Sequence, residues 1–286
     1  MDLGVTEAGV LDEGLRLIRL ADAARVPLRL LGGIAVAARV PSWRVRADRP
    51  GRDIDVATDR ASRRAVTELL EGQGYVADRR YNAANGHKQL YFVDPERGRP
   101  VDVLIDQMEM CHTFDFAADL ACPGPTLPLA DLLLSKLQVV RINRKDYLDV
   151  LILLAEFPLS DGSGGEARGG AAAGANRDGS GAEAAAAEAP GADRIEVGQI
   201  TKYTSADWGW WRTVGGNLDG CRAFVEDGLA PDDLDVGRPN RFDPGAQAVE
   251  LRRRIDSAPK SLGWRVRARL GERVPWYQEP EEEAHD

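Results

Sequence analysis

Asp53 and Asp55 stand one residue apart in Arg52-Asp53-Ile54-Asp55-Val56, downstream of a glycine pair, Gly32-Gly33, that closes the largely apolar run 28–31. If Ile54 and Val56 bury into a sheet, the strand period of two turns both carboxylates to the opposite face. Two like charges held that close repel each other unless a cation sits between them, so the strand suits a divalent metal. The same alternation also fits the wet face of an ordinary edge strand. A third acid weighs toward metal. Asp102, in Pro100-Val101-Asp102-Val103-Leu104-Ile105, lies in a second run whose β-branched residues and leading proline predict a strand.

These acids need elements to position them. Leu11, Leu15, Ile18 and Ala21 share one helical face and predict a helix over 6–24, followed by a strand over 28–31. Gly32-Gly33 permits a tight turn and close backbone approach to a ligand, and a short helix over 34–39 would present its N-terminal amides to an anion. A polar loop over 41–51 delivers the chain to the Asp53 strand. A helix over 60–72 and a strand over 75–77 come next. Strands over 87–93 and 100–105 flank the turn Asp94-Pro95-Glu96-Arg97-Gly98, and this hairpin carries Asp102 into the sheet. Two helices follow, over 129–142 and 145–156; in the first, Leu132, Leu133, Lys136, Leu137 and Val140 form an apolar stripe interrupted by one lysine. This order predicts an α+β fold, a small mixed sheet flanked by helices, rather than a long doubly wound parallel sheet.

With 286 residues, 43% of them hydrophobic, the chain has enough apolar surface for more than one unit. Glycine and alanine dominate 160–192 and large apolar residues are scarce there, which predicts a flexible linker between a domain over 1–159 and a helical C-terminal domain over 193–286. In that last domain, Asp207 and Ser205 offer a helix cap before Trp208-Gly209-Trp210-Trp211, whose rings suit either a small core or a base-stacking surface. Lys260, Arg265, Arg267 and Arg269 make its end basic, whereas the tail 279–286 is acidic.

A net charge of −9 argues against coating nucleic acid by charge alone, although Arg39, Arg44, Arg46, Arg49 and Arg52 crowd the acidic motif and could face phosphates. Cys111, Cys122 and Cys221 form no CxxC pair, and His87, His112 and His285 are scattered. Zinc is therefore disfavoured, and the oxygen ligands that remain suit Mg²⁺ or Mn²⁺. No run is long and apolar enough for a membrane span and the N-terminus is acidic, so the expectation is a cytoplasmic protein with no membrane partner.

Together, Leu31-Gly32-Gly33, Asp53-Ile54-Asp55 and Asp102 resemble the motif order of the polymerase-β-like nucleotidyltransferase superfamily. The wide, arginine-bearing gap between Gly33 and Asp53 is similar to the branch that contains AbiEii/AbiGii-type abortive-infection toxins. That branch also carries a helix lysine and a basic-Asp pattern, matched by Lys136 and by Asp146 in Arg144-Lys145-Asp146. The resemblance spans 25–157. It implies a nucleotidyltransferase fold and metal-dependent transfer of a nucleoside monophosphate from ATP or another NTP to an acceptor, releasing pyrophosphate. It further implies Asp53, Asp55 and Asp102 as ligands for Mg²⁺ or Mn²⁺, with Asp102 completing a second metal position or accepting the acceptor's proton. Gly32, Gly33, Arg52 and Lys136 would contact the nucleotide, and Asp146 would join the catalytic set. Judged as residues alone, Lys136 could equally snorkel to solvent, and Asp146 could stabilise a helix N-terminus or pair with Arg144 or Lys145. The acceptor the resemblance implies first is the 3′ end of a tRNA, then a small-molecule antibiotic or metabolite, then a protein side chain; an antitoxin partner is implied as well. A non-catalytic nucleotide- or partner-binding module with the same fold is the competing class. Three intact acids speak against it.

Overall fold

The structure, a computed structural model, describes residues 7–46, 53–161, 194–228, 234 and 239–279. Arg49, Arg52, nearly all of the predicted linker and the acidic tail beyond Glu279 lie outside the described residues. Within them the fold is mixed α+β. Five strands, β1 (Arg29–Leu30), β2 (Ile54–Thr58), β3 (Val76–Ala77), β4 (Gln89–Asp94) and β5 (Arg99–Ile105), form one sheet in the order β1-β2-β5-β4-β3. β2 and β5 run parallel, and every other neighbouring pair is antiparallel.

Alternation explains the central strands. Ile54 and Val56 of β2 and Val101, Val103 and Ile105 of β5 are buried, while Asp55 and Asp102 between them stay partly open. Four helices accompany the sheet: α1 (Glu7–Ala24), α2 (Gly32–Arg39), α3 (Arg63–Gly72) and α4 (Arg79–Asn85). α1 buries Leu11, Leu17, Ile18 and Ala21 and packs on α2, α3 and β1, close to the expected face.

Several boundaries differ from the sequence expectations. Gly32 and Gly33 are the first two residues of α2 rather than a turn ahead of it. Asp53 stands just before β2. Residues 41–46 of the expected loop form a 3₁₀ turn whose Trp43 is buried. α4, capped by the Asp78 carboxylate on the Tyr81 N–H, and the hairpin β6 (Gln107–Glu109) with β7 (Thr113–Asp115) were unexpected.

α5 (Leu129–Leu137) stops short of 142, and α6 (Arg144–Glu156) begins where the Asn143 side chain caps it. Beyond α6, β8 (Leu159–Ser160) pairs in parallel with β9 (Ile195–Glu196), Leu159 opposite Ile195 and Ser160 opposite Glu196. The C-terminal part comprises α7 (Val197–Ala206), α8 (Trp208–Asp227), α9 (Pro244–Ser257) and α10 (Leu262–Ala268). α7 and α8 pack on α5, and α8 and α9 on α6. Trp210, Val214, Leu218, Leu251 and Ile255 belong to the same hydrophobic cluster as Leu132, Leu133, Val150 and Leu153.

α8 and α9 approach closely because Gly215 lacks a side chain. A Cβ there would lie 1.3 Å from the Arg252 guanidinium, which instead passes over it onto the Trp211 ring, 4.9 Å from the centroid. Asp207 accepts from the Trp210 N–H and starts α8, as the cap pattern predicted.

A continuous core has a measurable consequence. Leu251→Ala, at a fully buried position of α9, should cost ~2–5 kcal/mol. Thermal unfolding should remain one transition, shifted as a whole to lower temperature. Two transitions, with only one of them shifted, would contradict a shared core.

Candidate functional site

The pairing of β2 with β5 builds the site. Asp55 lies directly opposite Asp102 in the parallel register, so the two carboxylates rise from the same face of neighbouring strands. Asp53, two residues ahead of Asp55, is exposed at the start of β2. On the far side of β5, Tyr91 of β4 is the register partner of Asp102, which extends the row across three strands. Gln89 of β4 donates its side-chain N–H to Asp102 Oδ1 at 2.7 Å and fixes that carboxylate.

Gly32 belongs to the same construction. Its φ of +69° lies in the left-handed region, and an added Cβ would sit 2.1 Å from Asp55 Oδ2. The glycine therefore makes room for the carboxylate, and α2 begins at the edge of the acidic row. Leu31, its N-cap residue, has no side chain able to satisfy the first-turn N–H groups. Leu31 is itself anchored, through its N–H to the Asp55 carbonyl at 3.0 Å.

Electrostatics single out Asp55. Burial pushes its carboxyl up to about 7, and Asp102 and Asp53 push in the same direction against the cations of Lys136 and Lys145. Tyr91 is raised by burial and then by Asp102 and Asp53, so the same negative field reaches the ring.

Lys136 does not snorkel. Its side chain is only 12% exposed on α5, and its ammonium lies 2.7 Å from Asp146 Oδ1 and 3.1 Å from Asp149 Oδ2, both on α6. Burial works against its charge, yet Asp149 and Asp146 outweigh that and hold its pKa above the ordinary lysine value. Asp146 also accepts from Asn143 Nδ2 at 2.8 Å, while its own N–H donates to Asn143 Oδ1 at 3.0 Å. It is thus a helix-start acid and an ion-pair partner of Lys136 at once.

The structure therefore brings Gly32, Asp53, Asp55, Asp102 and Lys136 into one electrostatic neighbourhood and ties Asp146 to it through Lys136. Gly33 follows in the first turn of α2, and Arg52 lies outside the described residues. Sequence reasoning passed over Asp149, Lys145, Gln89 and Tyr91. The spacing of Asp146 and Asp149 on one helix face carried a signal for the first. Gln89 and Tyr91 became visible only once the β4–β5 register was known.

No three side chains of the His, Cys, Asp and Glu types are gathered tightly enough among the described residues to enclose an ion unaided. A hard cation that keeps waters and substrate phosphates in its shell needs only one or two protein carboxylates. Adjacent Asp55 and Asp102, crowded enough to raise Asp55, fit that requirement. The chain matches no protein-family model and no curated protein.

A carboxyl that holds its proton more tightly when folded makes stability fall as pH rises from near 4 to near 7. Denaturation in chelator at pH 5 and pH 8 should show that loss, and Asp55→Asn should lose less over the same interval. The difference between the two proteins isolates Asp55 from Asp131, the other buried carboxyl pushed up to about 7. Saturating Mg²⁺ should narrow it. Equal losses in both proteins would remove the electrostatic argument for the site.

Lys136→Met should destabilise the chain by ~3–5 kcal/mol, because it leaves Asp146 and Asp149 facing each other without their cation. Adding Asp149→Leu should restore part of that loss in a double-mutant cycle. Additive losses would show that the three groups do not act together.

Proposed function

We propose that the chain is a metal-dependent nucleotidyltransferase with a nucleotidyltransferase fold over its N-terminal half. The observation that carries this reading is the Asp55–Asp102 register pair with Gly32 pressed against the Asp55 carboxylate. A row of acids beside a glycine-opened helix start supplies, within one site, groups to hold a cation and backbone N–H groups for an anion.

In such a transfer an acceptor hydroxyl attacks the α-phosphorus of an NTP and pyrophosphate leaves. Mg²⁺ or Mn²⁺, when bound, would supply charge neutralisation on the phosphate oxygens. Asp53 and Asp55 would hold it. Gly32 and Gly33 would direct their N–H groups to the β- and γ-phosphates. Asp102, oriented by Gln89 and opposite Asp55, would complete a second metal position or take the acceptor's proton. Lys136 would add positive charge close to the phosphates while anchored by Asp146 and Asp149, so its part is chiefly to keep the field of the acidic row in check.

For the acceptor we favour an RNA 3′ end, in line with the tRNA that the motif resemblance implies. Tyr91 flanks Asp102 on the side away from Asp55, where a partly open aromatic ring suits a nucleobase. Tyr81 meets it edge to face at 6.0 Å and steadies it.

Purified protein incubated with Mg²⁺ or Mn²⁺ and each α-labelled NTP should release pyrophosphate and label total tRNA. Asp53→Ala and Asp55→Ala should each reduce labelling by roughly a thousandfold, matching the several kcal/mol that a bound cation contributes to phosphoryl chemistry. Transfer to an aminoglycoside or to protein in place of tRNA would keep the reaction and replace the acceptor. No pyrophosphate release with any of the three, together with no nucleotide binding, would sink the enzyme reading.

A further inference from the structure

α10 and the turn after it carry an exposed apolar row. Leu262 is 77% exposed, Val266 54%, Leu270 48% and Val274 45%, each four residues from the last. Among the described residues only two other large hydrophobic side chains are comparably exposed, Val76 and Val249, and they stand apart from each other and from this run. Single exposed apolar residues are ordinary, but Leu262, Val266 and Leu270 share one helical face ahead of the break at Gly271, whose φ is +57°.

A second row runs beside the first. Arg265, Arg269 and Arg273 are exposed at the same spacing, one position ahead of Val266, Leu270 and Val274. At 100° per residue, the arginines through Arg269 fall along one side of the apolar ridge. Among the described residues, none of the three makes an ion pair or hydrogen bond through its side chain. That is unusual here, since Arg252, Arg253 and Arg254 on α9 are all paired, with Asp256, with Glu250, and with Glu250 and Asp161.

The element that presents these rows is fixed from behind. Ser261 caps α10 on the Trp264 N–H, and the Trp264 ring packs on Trp211 at 5.3 Å. Arg267 turns inward, lies over Trp208 at 4.9 Å and donates to the carbonyls of Gly271, Val274 and Pro275. Lys260 likewise turns back to the Ile255 carbonyl. The basic end of the chain is therefore divided: two of its cations hold the element in place, and three face outward beside the apolar ridge.

We propose that this face docks an amphipathic helix of a partner protein, one that lays an apolar ridge against Leu262, Val266 and Leu270 and sets Asp or Glu side chains against Arg265 and Arg269. Ridge-against-ridge packing buries the apolar row, and acidic partners satisfy the arginines in the same step. The apolar row decides against a nucleic acid, because a phosphate backbone would neutralise the arginines and leave that row wet. A short acidic helix meets the local rows alone. The inference is independent of nucleotidyl transfer.

The test uses the full chain and two labelled helical peptides, one with a Leu ridge beside a Glu ridge, its sibling with Lys in place of Glu. Fluorescence anisotropy should show saturable binding of the Glu peptide, weakened at least about tenfold by R265E/R269E and by V266S/L270S. R265E/R269E should transfer the preference to the Lys peptide. These positions are exposed, so circular dichroism should show both variants folded; V266S/L270S alone carries the apolar half of the test if the charge reversal fails to fold. The proposal is overturned if neither peptide binds or if the native chain binds both equally. It is also overturned by tighter binding to phosphatidylglycerol-containing vesicles or to single-stranded RNA, or by self-association that V266S/L270S abolishes, which would make a second copy the occupant.

Discussion

Parallel pairing of β2 with β5 places two carboxylates side by side, and much of the surrounding structure follows from tolerating that. Strands that bury Ile54, Val56, Val101 and Val103 on one face have no choice about where Asp55 and Asp102 point. Slipping the register by one residue would relieve the repulsion but turn the apolar set out of the core. The hydrophobic effect fixes the register, and the like charges must be accommodated inside it. Gly32 yields space, Gln89 donates to Asp102, and Lys136 contributes an opposing charge.

Lys136 in turn makes α5 and α6 part of the same problem. A buried ammonium is costly unless paired, and pairing it with Asp146 and Asp149 binds the two helices through a charge cluster as well as through their leucines. The C-terminal helices pack on those two helices. The acidic row is thus coupled, through one lysine, to the elements on which the second half of the chain rests. A buried charge cluster of this kind is a weak source of net stability but a strong determinant of which arrangement forms.

What was legible in the sequence is what depends on local pattern. Alternation around Ile54 and Val56 and in 100–105 predicts two strands with acids on the opposite face, and the Asp207 position announces a helix start. Short elements without a repeating pattern were not legible. β8 and β9 are two residues each and separated by a long stretch of sequence, so nothing local marks them as partners. α4 lacks any buried side chain and hence any apolar periodicity. Placement failed wherever it needed a distant partner: Lys136 reads as a snorkelling lysine until α6 supplies its carboxylates. Tyr91 and Gln89 gain meaning only from the register that sets β4 against β5.

The same dependence separates the two surfaces of the molecule. At the acidic row, charges of one sign are crowded and the chain answers with its own opposing groups: a glycine, an amide and a lysine, each fixed by packing. At α10 no described residue answers. Arg265, Arg269 and Arg273 keep their charges outward beside exposed leucines and valines, although acids were within the chain's means, as α9 demonstrates by pairing Arg253 and Arg254 with Glu250. Among the described residues the arginines are neutralised on one helix and left outward beside apolar side chains on the next, and apolar area and unpaired charge are both relieved only by contact.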